Sequence, residues 1–120
     1  MLKFNKSVLV YGLTEEELEK LKKTADLRVI EMTSEMSEVK IKDILKGVKG
    51  NSEKELHKEK LVLFNNYTSN ELPRVIRFIR NRVTGGILAS VTPTNKEWTL
   101  EYLLEHLIEE REWVEKNQKG

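Results

Sequence analysis

The stretch from Gly86 to Val114 reads GILASVTPTNKEWTLEYLLEHLIEEREWV and encodes a strand, a loop and a helix in succession. Residues 87–91 form a short, almost entirely apolar run that ends before Pro93, which is typical of a strand buried on both faces. From Leu100 onward the apolar residues recur at intervals of three and four, so the spacing predicts a helix with one buried stripe. A buried strand followed by an amphipathic helix is the repeating unit of an α/β fold.

The same succession is predicted three more times along the chain. Strands are expected near 7–11, 27–31 and 61–65 as well as 86–91, and each is followed by a segment with helical spacing. Such alternation predicts an α/β fold with a four-stranded parallel sheet and right-handed crossovers. We expect the strand order 2-1-3-4, because it covers every helical stripe in a single three-layer α/β/α sandwich. No internal repeat is evident in the sequence.

Composition limits the class of protein. The 120 residues are 38% hydrophobic and 34% charged with a formal net charge of +1, which predicts a single domain over 1–120 and no strong attraction to nucleic acid. The absence of cysteine excludes disulfides and thiol chemistry. Neither a spanning segment nor a signal peptide is recognisable, so a cytoplasmic location is expected. The charged stretch 47–60 has few apolar anchors, and we expect a mobile connection there.

Polar loops follow three of the predicted strands. In an open parallel sheet, ligands bind at the carboxyl ends of strands where the chain order reverses. The predicted rim for a ligand or partner therefore comprises the residues at those ends, namely Tyr11, Gly12, Thr14, Asn65, Asn66, Thr92, Thr94, Asn95 and Trp98.

The Thr92–Trp98 part of this rim has two interpretations. Hydroxyls, an amide and free helix N–H groups would form a small anion or polar-ligand site, with Trp98 as its wall. Alternatively Thr94 and Asn95 cap the following helix, Pro93 fixes the turn and Trp98 packs in the core. Capping alone accounts for these residue types.

Motifs for catalysis are missing from the sequence. The first strand is followed by Tyr-Gly-Leu-Thr rather than a glycine-rich phosphate loop, and a nucleophile turn of the Gly-x-Ser-x-Gly type is absent. His57 lies in the charged connection and His106 borders the stripe of the last helix, where neither is predicted to bind a metal. We therefore expect no catalytic residue, cofactor or metal, and a chain that is not an enzyme.

Charged side chains are unevenly distributed. Arg74, Arg77 and Arg80 recur on one helix with Arg82 just beyond, and glutamates recur along the last helix. Solvated helix faces explain both rows. RNA binding through the arginines, or a homo-oligomer contact through the opposed charges and Trp113, are the alternatives.

Two segments carry a resemblance to a known family. They read VLVYGLTEEEL from Val8 and ILASVTPTNKEWTLEYLLEHLIEER from Ile87. Together they resemble a small bacterial domain family catalogued only as a domain of unknown function, over nearly the whole chain and most specifically at Thr92–Trp98. The resemblance implies an intracellular bacterial protein and implies no activity.

The leading hypothesis is a non-enzymatic α/β module that binds a protein partner or a small polar ligand at the strand ends. The second is a small enzyme, or enzyme subunit, acting on a phosphorylated or anionic substrate. The third is an RNA-binding module.

Overall fold

One four-stranded sheet organises the chain, whose computed structural model describes residues 6–117. The strands are Ser7–Tyr11 (β1), Val29–Glu31 (β2), Leu61–Asn65 (β3) and Ile87–Ser90 (β4). The α-helices are Glu15–Lys22 (α1), Ile41–Leu45 (α2), Leu72–Arg80 (α3) and Leu100–Asn117 (α4), and short 3-10 helices cover Ser34–Met36 and Asn95–Glu97. The strand order is β2-β1-β3-β4, as predicted. The arrangement of the helices in three layers stays a prediction.

The prediction of an all-parallel sheet is wrong. β1 is parallel to β2 and β3 is parallel to β4, but the central pair β1–β3 is antiparallel. Each parallel pair is joined by one helix, α1 or α3, which is the crossover that parallel neighbours require. Between β2 and β3 the chain instead runs through α2 and the long connection after it, and a path of that length allows either strand direction.

The second predicted helix is shorter than its pattern suggested. The apolar spacing of Ile41, Ile44 and Leu45 predicts a helix over about 38–46, whereas α2 covers only Ile41–Leu45. Lys40 has an extended backbone and forms an isolated antiparallel bridge with Thr99, so the helix cannot begin earlier.

Contacts divide the described chain into two units, residues 6–33 with 58–91 and residues 34–57 with 92–117. The first unit holds the whole sheet with α1 and α3. One core cluster packs the central strands against these helices, and its buried members are Val8, Val10, Leu21, Val62, Phe64, Ile79 and Val83. Leu9, Leu61 and Leu63 alternate with these strand residues and are also buried. Burial of both faces explains why the central strands read as continuous apolar runs.

The register of β1 and β3 is symmetric. Leu9 pairs with Leu63, and on either side of it Val8 pairs with Phe64 and Val10 with Val62. Each β3 residue has its counterpart 54 positions earlier in β1, so Leu9 faces its own equivalent. The two β-α-β halves of the first unit are therefore related by an internal two-fold.

The same spacing recurs outside the strands. Thr14 and Glu17 form a reciprocal capping box with bonds of 3.0 and 3.1 Å, and Thr68 and Glu71 repeat it with bonds of 2.9 and 3.2 Å. Gly12 and Asn66, which occupy equivalent places after β1 and β3, both have left-handed backbones. The expectation of no internal repeat is thus wrong. Few identical residues mark the repeat, which is why the sequence did not reveal it.

In the second unit, a pair of reciprocal backbone bonds joins the starts of α2 and α4. The amide of Ile41 donates to the carbonyl of Trp98 at 2.9 Å, and the amide of Leu100 donates to the carbonyl of Val39 at 3.0 Å. These reciprocal bonds flank the Lys40–Thr99 bridge. They bring the start of α2 beside the start of α4 and bury Ile41 and Leu100.

Glu17 is the one buried carboxylate among the described residues. It accepts hydrogen bonds from the Lys60 ammonium at 2.9 Å, the Thr84 amide at 3.0 Å and the Thr14 amide at 3.0 Å. Burial alone would raise its pKa, but these bonds together outweigh it and lower the pKa from 4.5 to about 2.

Replacing Glu17 tests this charge. Because the folded-state pKa lies below the unfolded value, the charge stabilises the fold above about pH 4.5, and that contribution is lost as the pH falls towards 2. We expect Glu17→Gln to lower the free energy of unfolding by about 1–3 kcal/mol at pH 7 and to weaken the loss of stability between pH 5 and 2. Urea unfolding at several pH values measures both. The exposed Glu16→Gln is the control, and equal behaviour of the two variants would contradict the assignment.

Candidate functional site

The structure does not bring the predicted rim residues of β1 and β3 together. Tyr11 pairs with Leu61 and Asn65 pairs with Ser7, so the carboxyl end of β1 lies beside the amino end of β3, and the two carboxyl ends point in opposite directions. The predicted convergence assumed parallel strands, and the antiparallel central pair removes it. Tyr11, Gly12 and Thr14 therefore lie at one end of the central strands, whereas Asn65 and Asn66 lie at the other end.

Several rim residues of the first unit have structural tasks. Gly12 has φ +81°, and a Cβ atom there would lie 2.8 Å from the carbonyl oxygen of Glu59, so only glycine fits without strain. Thr14 caps α1. The side-chain Nδ2 of Asn65 donates to the Ser7 hydroxyl at 3.3 Å. Asn66 has the left-handed backbone conformation that asparagine tolerates.

In the second unit, Thr92 and Asn95 bind each other. The Thr92 amide donates to Asn95 Oδ1 at 2.8 Å, and the Asn95 amide donates to Thr92 Oγ1 at 3.0 Å. Asn95 is buried and opens a 3-10 helix, while the Thr94 side chain makes no capping bond. Thr99 caps α4, since its hydroxyl accepts from the Tyr102 amide at 3.2 Å. These bonds give Thr92 and Asn95 a structural role, but Thr94 makes no capping bond and Trp98 is half-buried rather than packed in the core. The choice between capping and ligand binding stays a prediction.

The two histidines lie in different settings. His57 borders a hollow of about 240 Å³ together with Leu56, Glu55, Glu101 and Glu105. Across residues 6–117 no group of three or more His, Asp or Glu side chains is arranged to hold a metal ion. His106 lies on α4, half exposed, and pairs at 3.9 Å with Glu110.

The connection after α2 has no regular secondary structure but does have anchors. Leu56 is buried, the Ser52 amide donates to the carbonyl of Glu35 at 3.0 Å, and Lys54 pairs with Glu38 and Glu101, each at 3.3 Å. Its mobility stays a prediction.

The arginine row of α3 is partly engaged. Arg80 donates to the carbonyls of Gly85 and Gly86 at 2.9 and 3.4 Å. Arg82 donates to the carbonyl of Phe78 at 3.1 Å, and its guanidinium lies 3.7 Å from the centre of the Phe78 ring. Both side chains thus complete the end of α3, which leaves fewer arginines available for phosphates than the sequence indicated.

The second unit carries a group of aromatic rings that we call the α4 aromatic surface, defined as the half-buried Trp98 with the exposed Tyr102, His106 and Trp113. The sequence had indicated Trp98 as a rim residue and Trp113 as an oligomer contact, but not that the four belong to one group. The Trp98 ring lies 4.8 Å from Tyr102 and 5.0 Å from His106, in edge-on contacts. Tyr102, His106 and Trp113 are spaced by four and seven, so they share one helix face. The spacing of these rings was visible in the sequence, but their exposure was not.

A second missed feature is a pair of ion pairs that join the two halves of the first unit. Lys6 contacts Glu71 at 2.7 Å and Lys60 contacts Glu17 at 2.9 Å. Lys60 and Glu71 lie 54 residues after Lys6 and Glu17, so the pairs are symmetry equivalents with exchanged partners. The repeated Thr-x-x-Glu motif was the signal that could have revealed them.

The two ion pairs have different surroundings. A hollow of about 340 Å³ lies beside Lys6 and Glu71, and we call it the open niche. Leu27, Val75 and Phe78 contribute apolar surface to it. Tyr67 also lines it, and burial raises the pKa of its hydroxyl. We call the equivalent surroundings of Lys60 and Glu17 the closed niche, because backbone groups of Thr84 bind both charges there.

Replacing Asn95 tests the capping interpretation. We expect Asn95→Ala to lower the free energy of unfolding by about 1 kcal/mol, because the Thr92 amide loses Asn95 Oδ1 as its acceptor while the bond from the Asn95 amide to the Thr92 hydroxyl remains. Thr94→Ala is the control, and it should change stability by less than about 0.5 kcal/mol, because the exposed Thr94 side chain makes no capping bond. Chemical denaturation measures both. An Asn95→Ala variant as stable as the parent would favour the ligand interpretation instead.

Comparison with known proteins bears on the second half of the chain. None of the described helices combines the length and apolarity needed to cross a membrane. No curated protein and no solved structure matches the sequence. The Thr92–Trp98 run falls inside a stretch that matches a protein family, whereas the Val8–Leu18 segment of the resemblance lies outside that stretch. Residues 60–114, from the start of β3 into the outer half of α4, match a family described as a domain of unknown function, DUF3783.

Proposed function

We propose that the chain is a non-enzymatic binding module that docks a protein partner through the α4 aromatic surface. The observation that carries the proposal is the exposure of Trp113, whose accessible fraction is 65%. Of the four exposed large apolar residues in the described chain, Tyr102, Trp113 and Val114 all lie on α4. Clustered exposed apolar side chains on a soluble fold are typical of protein-binding surfaces, and tryptophan and tyrosine are enriched where binding energy concentrates.

The burial of α4 supports this proposal. Its first turns bury Leu100, Leu103 and Leu104, whereas none of residues 105–117 is buried. Most helices in proteins owe their stability to packing of an apolar face rather than to intrinsic propensity. The outer half of α4 receives little such packing from its own unit, and a partner laid along it would supply the missing contacts.

Charge indicates the chemistry of the partner. α4 carries six glutamates against one arginine and one lysine. A partner with an apolar strip bordered by lysine or arginine would match the aromatic rings and these carboxylates together. Such charges act mainly on the association rate and on the choice of partner, while the buried rings supply most of the affinity.

Replacing Trp113 separates a docking role from a structural one. We expect Trp113→Ser to change the free energy of unfolding by less than about 0.5 kcal/mol, because the side chain is exposed. The same variant should lose at least about 90% of a partner captured from a lysate of the native organism, as expected for a central tryptophan. Val48→Ala is the matched control, since Val48 is exposed but lies outside α4.

Sedimentation of the purified chain completes the test. The proposal expects a monomer at micromolar concentration. A dimer that Trp113→Ser dissociates would show that a second copy occupies the surface and would overturn the partner proposal. Equal capture by the parent, Trp113→Ser and Val48→Ala would also overturn it, as would a large loss of stability in Trp113→Ser.

A further inference from the structure

The closed niche shows how this fold binds a peptide residue. The Thr84 amide donates to Glu17 Oε2 at 3.0 Å, and the Lys60 ammonium donates to the Thr84 carbonyl oxygen at 2.9 Å. One ion pair thus binds both backbone groups of a single residue. The carboxylate accepts the N–H and the ammonium donates to the C=O.

The open niche has the same ion pair without the backbone segment. Lys6 Nζ and Glu71 Oε2 are 2.7 Å apart, and within residues 6–117 their other hydrogen bond is the one from the Thr68 amide to Glu71 Oε1. The exposed fractions agree with this difference. They are 38% and 39% for the Lys6 and Glu71 side chains, against 25% and 11% for Lys60 and Glu17.

Chain length explains the difference between the niches. Matching bonds join Met32 to Val10 in the first half and Val91 to Phe64 in the second. The second half is five residues longer between these points. The five additional residues allow the connection to place the backbone of Thr84 within hydrogen-bond distance of Lys60 and Glu17. In the first half, the shorter connection through Thr24–Leu27 borders the hollow without bonding to the ion pair.

We propose that the open niche binds one residue of a peptide chain, through the N–H and C=O of that residue. Glu71 accepts the N–H and Lys6 donates to the C=O, as Glu17 and Lys60 do for Thr84. Charge-assisted bonds of this kind are stronger than neutral ones. The ligand class follows from the chain itself, because the equivalent niche holds that group.

The walls of the open niche select the side chain of the bound residue. Leu27, Val75 and Phe78 line a hollow of about 340 Å³, which is large enough for an aliphatic or aromatic side chain. An apolar residue therefore fits better than a charged one. The site belongs to the first unit and shares no residue with the α4 aromatic surface, so the two proposals fail independently.

An NMR titration with small probes tests the site on the complete chain. The probe is N-acetyl-leucine N-methylamide, and its ester analogue replaces the leucine N–H by oxygen. We expect the amide probe to shift the backbone resonances of Thr24–Leu27 and Glu71. The affinity of the ester should be lower by a factor of about ten or more, because the ester cannot donate a hydrogen bond to the Glu71 carboxylate.

Matched variants locate the binding. Ala25→Phe fills the hollow from an exposed position, and Lys6→Met removes the ammonium, so both should abolish the shifts. Thr84→Phe places the same ring beside the closed niche and should leave binding unchanged. Far-UV circular dichroism confirms that each variant is folded.

Four results would overturn the proposal. They are equal affinity for the amide and the ester, binding that survives in Ala25→Phe, shifts centred on Thr84 and Lys60, and no shift up to the solubility limit of the amide probe.

Discussion

The antiparallel pairing of β1 with β3 is the constraint on which the first unit depends. Because Leu9 faces Leu63, the beginning of each central strand lies beside the end of the other. Lys6, just before β1, thereby reaches Glu71 after β3, and Lys60 reaches Glu17 in the same way. A register shift of one residue would turn every strand side chain to the other face and would break the packing of the core cluster against α1 and α3, so this packing favours the observed register.

Local pattern predicted much of this fold from the sequence. The four strands follow from their apolar runs, and their order follows from the need to cover every helical stripe. The direction of β3 relative to β1 did not follow, because it depends on a long connection whose path no local pattern determines. The internal repeat was hidden because backbone and capping geometry preserve it while most side chains differ.

The candidate sites were less predictable than the elements. A Thr or Asn at a helix start has the same residue type whether it caps the helix or binds a ligand, and the sequence does not show that Thr92 and Asn95 bond to each other. The sequence pattern indicated that Arg80 and Arg82 are solvated surface charges, because it does not show the backbone carbonyl groups to which they donate. The exposure of Trp113 and the opening beside Lys6 depend on what the rest of the chain leaves uncovered, and no spacing rule encodes that.

The exchange of partners between the two ion pairs has a consequence for how this architecture can change over evolutionary time. Neither half can complete a pair alone, since each contributes one lysine and one glutamate to different pairs. Two separate copies of one half would have to assemble, and every substitution would then appear twice in the assembly. When both halves belong to one chain, a substitution in one half no longer appears in the other. The closed niche can then keep the backbone of Thr84 as its ligand while the residues of the open niche change. A fold that began with two identical niches can in this way acquire two different ones.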